Sequence, residues 1–248
     1  MAAGFDPAAN AVSARAAIAQ AADAGARLVV LPEATMARLD ADVVDLAQPL
    51  DGPFASAIRD EAARRGVVVV AGMFTPASGR ARNTLLVTGP GVEAAYDKIH
   101  LFDAFGSAES DRIEPGCDLV TLDIGDTVLG LATCYDLRFA DQFTALGRLG
   151  AEVICVPASW AAGRGKASQW DVLVRARAMD SQAWLIAADQ PFVRPRGSTP
   201  LGIGRSTLAD PLGRVTARLG RRAGLLVQTI DLDRVSEVRT LVPILGTV

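Results

Sequence analysis

The sequence predicts an α/β fold, and three features carry that reading. Short apolar runs rich in β-branched residues recur along the chain, amphipathic stretches separate them, and glycines close several of those stretches. Runs at 28–31, 67–73, 84–88, 128–134, 153–156, 185–188 and 225–229 are short and largely apolar with β-branched residues, which argues for buried strands rather than helices. The first helix is expected over 7–24, with Pro7 at its start and Gly25 beyond its end. A second is expected over 53–65, again opened by proline and closed by Gly66. A third spans 139–149 before Gly150, and a fourth spans 167–182. In that fourth helix Trp170, Leu173, Val174 and Arg177 lie close to one stripe. Between 102 and 118 runs a long polar loop with glycine, and such loops in compact proteins tend to serve function.

Length and composition narrow the function. The 248 residues contain no Ser/Pro/Gly-rich linker, so a single domain over 1–248 is expected. Half the residues are hydrophobic, enough for a large core. Net charge is −3, with no basic tract, which argues against nucleic acid as a partner. Three cysteines make no disulfide scaffold and suit a reducing compartment. No apolar run approaches the ~18 residues of a membrane span, and a cytoplasmic location is expected. One histidine and no clustered ligands leave no metal site to propose, and no cofactor is implied.

The chemistry concentrates at strand ends. Cys134 closes the run Thr127-Val128-Leu129-Gly130-Leu131-Ala132-Thr133 and precedes Tyr135-Asp136-Leu137-Arg138-Phe139. A thiol where a buried strand gives way to a polar turn is well placed for catalysis in an α/β protein. Taken alone it is more often a buried hydrophobe. Glu33 ends a second apolar run, and Lys98 follows a predicted strand in Tyr96-Asp97-Lys98-Ile99-His100-Leu101-Phe102. Singly, each would be an ordinary surface charge. A carboxylate base, an ammonium and a thiol are together the parts of a nucleophilic site acting on a carbonyl or nitrile carbon.

Together, Leu31-Pro32-Glu33-Ala34, Tyr96-Asp97-Lys98-Ile99-His100-Leu101-Phe102-Asp103 and Cys134-Tyr135-Asp136-Leu137-Arg138-Phe139 resemble the nitrilase superfamily of carbon–nitrogen hydrolases. The likeness continues through Pro157-Ala158-Ser159-Trp160, Gln169-Trp170, Arg175-Ala176-Arg177-Ala178, Gly204-Arg205-Ser206-Thr207 and Asp210-Pro211-Leu212-Gly213. It implies a four-layer α-β-β-α sandwich with an internal pseudo-two-fold, assembled as a homodimer or larger homo-oligomer. By the same resemblance Cys134 is the nucleophile, Glu33 the general base and Lys98 the cation that stabilises the transition state. Glu109 matches a second glutamate beside the nucleophile, the Tyr135 backbone N–H an oxyanion donor, and Trp160 either a substrate-contacting residue or a packed core aromatic.

The Cys-Tyr-Asp-Leu-Arg-Phe form is nearest the ω-amidase and deaminated-glutathione-amidase branch, which implies a small linear amide as substrate. A nitrile, an N-carbamoyl compound, or a non-catalytic interaction role are the alternatives. His100 reads as a structural hydrogen-bonding residue, and Asp136 with Arg138 as an ion-paired support for the turn. Cys117 and Cys155 read as a loop thiol and a core filler, and Arg205 as pairing with a nearby carboxylate. The family opens with an apolar strand ahead of its first helix. Here Met1-Ala2-Ala3-Gly4-Phe5-Asp6-Pro7 leads almost directly into that helix, so the first strand is expected to be missing, which could leave a neighbouring strand edge open.

Overall fold

The computed structural model describes residues 1–193 and 201–246. In chain order the elements are α1 (Pro7–Asp23), β1 (Leu28–Val30), α2 (Val43–Leu46), α3 (Pro53–Arg65), β2 (Val68–Pro76), β3 (Ala81–Gly89), β4 (Val92–Asp97), β5 (Thr121–Asp123), β6 (Val128–Leu131), α4 (Ala140–Arg148), β7 (Val153–Ala158), α5 (Lys166–Ser181), β8 (Trp184–Asp189), β9 (Thr207–Ala209), β10 (Val215–Arg218) and α6 (Asp233–Leu241). Single 3₁₀ turns lie at Glu109–Asp111 and Cys134–Arg138.

The helix ends follow the local chemistry. The Asp6 side chain accepts from Ala8 N at the start of α1, where Pro7 occupies a position whose N–H would be unbonded anyway. Gly66 ends α3 in the left-handed conformation, at φ 65°. The two helices pack on one another and on one face of the first sheet.

That sheet has the order β1-β2-β3-β4, and the second has the order β10-β9-β8-β7-β6-β5. Alternation along the strands builds the layers. Val69, Ala71 and Met73 of β2 point to α1 and α3 and join Ile18, Phe54 and Ile58. Their neighbours Val68 and Val70 point the other way, into a core shared with Leu129, Leu131, Val153 and Cys155 of the second sheet. On β7, Ile154, Val156 and Ala158 turn outward to α4 and α5, against Phe143, Leu146, Trp170 and Val174. Helices, sheet, sheet and helices therefore stack as four layers. Both sheets are covered on both faces, which is why their strands read as continuous apolar runs.

Two expectations are corrected here. Residues 225–229 form no strand. Strand propensity is realised only against a partner, and the backbone of these residues bonds to no other backbone among the described residues. Asp136 and Arg138 do support the turn, but not as a pair. Asp136 accepts from Thr133 N (2.7 Å), Tyr96 Oη (2.6 Å) and His100 N (3.0 Å), while Arg138 donates to Gln169 Oε1 (2.6 Å). Arg205 does pair with a carboxylate, that of Asp171, at 2.6 Å. As expected, residues 1–6 contain no strand, and β1 is the edge of its sheet.

Candidate active site

Glu33, Lys98, Glu109 and Cys134 come from four separate segments and meet in one buried cluster. Glu33 follows β1, and its side chain is fully buried. Its turn lies tight against β2, where a Cβ on Gly72 would stand 2.7 Å from Ala34 N and 3.0 Å from Glu33 Cα. Only glycine admits that approach. Lys98 comes directly after β4, held by its own N–H to Asn83 O (2.9 Å) and by Gly116 N on its carbonyl (2.8 Å). Glu109 opens the 3₁₀ turn of the long polar loop, and Phe102 N donates to its Oε2 at 2.6 Å.

Lys98 Nζ donates to Glu33 Oε1 at 3.1 Å and to both oxygens of Glu109, at 3.0 and 2.8 Å. Asn83 Nδ2 also reaches both carboxylates, at 2.8 and 3.3 Å. The remaining oxygen of Glu33 accepts from Ser159 N at 2.7 Å. Two carboxylates thus share one ammonium and one amide, so each charge is buried and hydrogen-bonded while one negative charge stays in excess. Burial alone would lower the Lys98 pKa, but Glu109, Glu33 and Cys134 carry it well above the ordinary lysine value. Lys98 is a fixed ammonium.

Cys134 opens its 3₁₀ turn at φ +47°, a left-handed conformation that a non-glycine residue adopts at a cost of about 1–3 kcal/mol. Asp136 pins this turn from below. It accepts the bonds named above and also contacts His100 Nδ1 at 2.9 Å, so that ring nitrogen carries a proton toward the carboxylate. His100 in turn stacks on Phe139 with ring centroids 3.5 Å apart. His100 is therefore structural, as the sequence suggests. Burial, and then the charge of Glu33, push the Cys134 thiol well above its ordinary pKa, against the pull of Lys98 and Ser159 N–H. The group is held as a thiol.

Aromatic and cationic side chains flank the cysteine. Trp160 is buried, packs edge-on against Trp170 and donates from its indole to Lys166 O at 3.1 Å. The Arg138 guanidinium lies 5.3 Å from the Trp160 ring centroid and 5.8 Å from that of Tyr135. Lys166 Nζ sits 3.7 Å from the Phe105 centroid. Burial and the neighbouring charge of Arg138 lower its pKa. Among the described residues neither cation has a carboxylate partner, and Arg138 Nε is buried without an acceptor.

A family model described as carbon-nitrogen hydrolase matches residues 3–240. The chain belongs to the carbon–nitrogen hydrolase family. This carbon–nitrogen hydrolase is 44% identical over 254 residues to the hydrolase Rv0480c of Mycobacterium tuberculosis, covering 98% of this chain and 91% of that one. It is 35% identical over 235 residues to the deaminated glutathione amidase of Escherichia coli O157:H7, covering 92% and 87%. Among solved structures, the CN-hydrolase superfamily protein XC1258 of Xanthomonas campestris superposes with a TM-score of 0.86 at 27% identity, covering 98% and 92%. These comparisons place the hydrolase in the nitrilase superfamily, with amidases among its relatives.

Sequence reasoning missed four residues of the site. Asn83 lies mid-strand in β3, where a polar residue reads as the solvent side of a ladder. Ser159 contributes only its backbone N–H. Gln190 donates to Glu33 O at 2.9 Å from far along the chain. Asp189, at the end of β8, accepts from Trp160 N (2.7 Å) and Ile203 N (2.8 Å), and burial raises its pKa well above the ordinary value. One signal was available for Asp189: it is a carboxylate closing an apolar strand, as Glu33 is.

Proposed function

We propose that this hydrolase is an amidase that cleaves a small linear amide bearing a carboxylate, through an acyl-thioester on Cys134. The observation that carries the reading is the buried cluster in which Lys98 joins Glu33 and Glu109 beside Cys134. Glu33 removes the thiol proton as Sγ attacks the amide carbon. The carbonyl π electrons move to oxygen, where Lys98 Nζ and the Tyr135 N–H stabilise the negative charge. That N–H lies at the start of the 3₁₀ turn, where backbone donors have no acceptor within the turn. Collapse breaks the C–N bond, the leaving nitrogen takes the proton from Glu33, and ammonia departs. Water then attacks the thioester as Glu33 accepts its proton. The C–S bond breaks, the carboxylic acid leaves, and the proton returns to sulfur.

Glu109 and Asn83 hold Lys98 and Glu33 in register rather than entering bond exchange. The raised thiol pKa agrees with this division, because a thiol that is not ionised at rest depends on Glu33 to become a nucleophile. Arg138 and Lys166 support the carboxylate in the substrate, as two cations beside Cys134 without anionic partners of their own. Trp160 forms the apolar wall under Arg138.

The test is ammonia release from a panel of ω-amides, N-carbamoyl compounds and nitriles, with Cys134→Ala alongside. The expected result is release from ω-amides with a free carboxylate, abolished by the substitution. Preference for nitriles or neutral amides would overturn the substrate class, and release by the variant would overturn the mechanism.

A further inference from the structure

β7 and β8 run parallel, and their pairing ends where Ala158 faces Asp189. Gln190 N closes the ladder on Ala158 O at 2.9 Å, and the chain after β7 then leaves the sheet. Its next two N–H groups, those of Ser159 and Trp160, must find acceptors elsewhere because both residues are buried. Two carboxylates supply them. Ser159 N donates to Glu33 Oε2 and Trp160 N to Asp189 Oδ1, each at 2.7 Å. Of these neighbouring N–H groups, one is thus held by the candidate base and the other by a second buried carboxylate.

Asp189 also ties this stretch to another. Its Oδ2 accepts from Ile203 N at 2.8 Å, and its own N–H donates to Ser206 Oγ at 3.1 Å. Packing leaves that segment little slack. Gly204 N donates to Gln190 O at 2.9 Å, and a Cβ on Gly202 would stand 2.3 Å from the same oxygen. The residue type suits the task. A carboxylate offers an acceptor at each oxygen, whereas asparagine has one and would turn its own N–H toward a backbone N–H. Alongside, Gln190 Nε2 donates to Glu33 O at 2.9 Å. The end of β8 therefore grips Glu33 twice, at its main chain through Gln190 and at its side chain through Asp189, Trp160 and Ser159.

We infer that Asp189 is a positioning residue for Glu33, holding the Ser159-Trp160 link so that Ser159 N–H stays directed at Oε2. The inference rests on the reading of Glu33 as the base toward Cys134. Oε1 of Glu33 is already held by Lys98 and Asn83, so the Ser159 N–H completes the set that fixes both oxygens. With that donor displaced, the carboxylate turns out of line with the thiol, and misplacement of a reacting group slows the step it serves. The Trp160 ring has anchors of its own, Lys166 O and Trp170, so the pocket wall stays in place.

The experiment compares Asp189→Asn with the wild type, and adds Asp189→Ser as a second variant should the first not fold. Hydrogen exchange is followed at Ser159, Trp160 and Ile203, and ammonia release is measured on the best ω-amide of the panel. The inference predicts exchange quickened about tenfold or more at those amides and unchanged at Val69 in the core. It predicts kcat lower by about 10–100-fold, with KM within about threefold of the wild type. A general loosening of the pocket would raise KM as well. Unchanged exchange at Ser159 and Trp160 overturns the tie, and quickened exchange with unchanged kcat overturns the positioning role. Failure of both variants to fold assigns Asp189 to stability alone and also overturns it. A wild type silent on every ω-amide defeats the amidase reading and this inference with it, a result distinct from any difference between variant and wild type.

Discussion

Replacing Lys98 by methionine removes the one cation from a buried group of two carboxylates. Lys98 Nζ lies 3.1 Å from Glu33 and 2.8 Å from Glu109, and Asn83 Nδ2 bridges the same two side chains. Formal charge in the cluster is −1 with the lysine (two carboxylates, one ammonium) and −2 without it. Breaking a buried pair by removing one partner costs about 3–5 kcal/mol. In a protein of this size that lowers the melting temperature by about 6–20 °C. The variant relieves part of the cost by binding a proton, since two carboxylates this close favour sharing one.

The sign of the pH dependence follows. The folded variant then binds more protons than its unfolded chain, so its stability falls as pH rises from about 4.3, the unfolded glutamate value. That fall, beyond any slope in the wild type, reaches at most about 1.4 kcal/mol per pH unit for one proton. Thermal denaturation of both proteins at half-unit steps from pH 4.5 to 8 measures it. Adding Glu109→Gln to the variant neutralises one carboxylate and should remove most of the extra slope. A variant that melts in parallel with the wild type at every pH would refute the shared-charge account of the site.

Other outcomes follow from the same geometry. Arg138→Gln should raise KM for a carboxylate-bearing amide by about 10–100-fold, the equivalent of about 1.5–3 kcal/mol for a hydrogen bond to a charged group, and leave KM for a neutral analogue nearly unchanged. Steady-state ammonia release on the two substrates reads the difference. Gly72→Ala places a Cβ 2.7 Å from Ala34 N and should destabilise by about 1–3 kcal/mol while lowering kcat, because the turn that must move carries Glu33. Denaturant melts and kcat report the two effects. Exposed Cys117 should react with iodoacetamide at pH 7.5, whereas Cys155, whose burial pushes its pKa up to about 12, should remain unlabelled until the protein is denatured. Peptide mass mapping before and after denaturation checks both.

Much of the fold and of the candidate site was legible in the sequence because the candidate residues sit where chain pattern changes. Glu33 and Cys134 each follow a buried apolar run, and the four-layer resemblance agrees with the alternation that sends Val69 and Val68 to opposite faces. What stayed hidden depends on tertiary partners. The strand expected ahead of Lys98 is β4, but Val92-Glu93-Ala94-Ala95-Tyr96-Asp97 has only one β-branched residue, and its limits are set by the six residues of β3 that pair with it. Residues 225–229 show the converse, with good local propensity and no backbone partner strand among the described residues. Asn83 is visible only once β3 lies beside Glu33 and Glu109, whereas Asp189 had its place at a strand end as a signal and gains its partners Trp160 N and Ile203 N only in the fold. Asp136 was expected to pair with Arg138, but it is buried under the turn while the guanidinium extends over the two aromatic rings.

The covalent step is the centre of the account, and intact-protein mass spectrometry of an acid-quenched reaction tests it most directly. With an ω-amide in excess, the account predicts an acyl adduct equal to the substrate less ammonia, mapping to the peptide that contains Cys134. Steady ammonia release without any adduct on that peptide, and undiminished in Cys134→Ala, would contradict it.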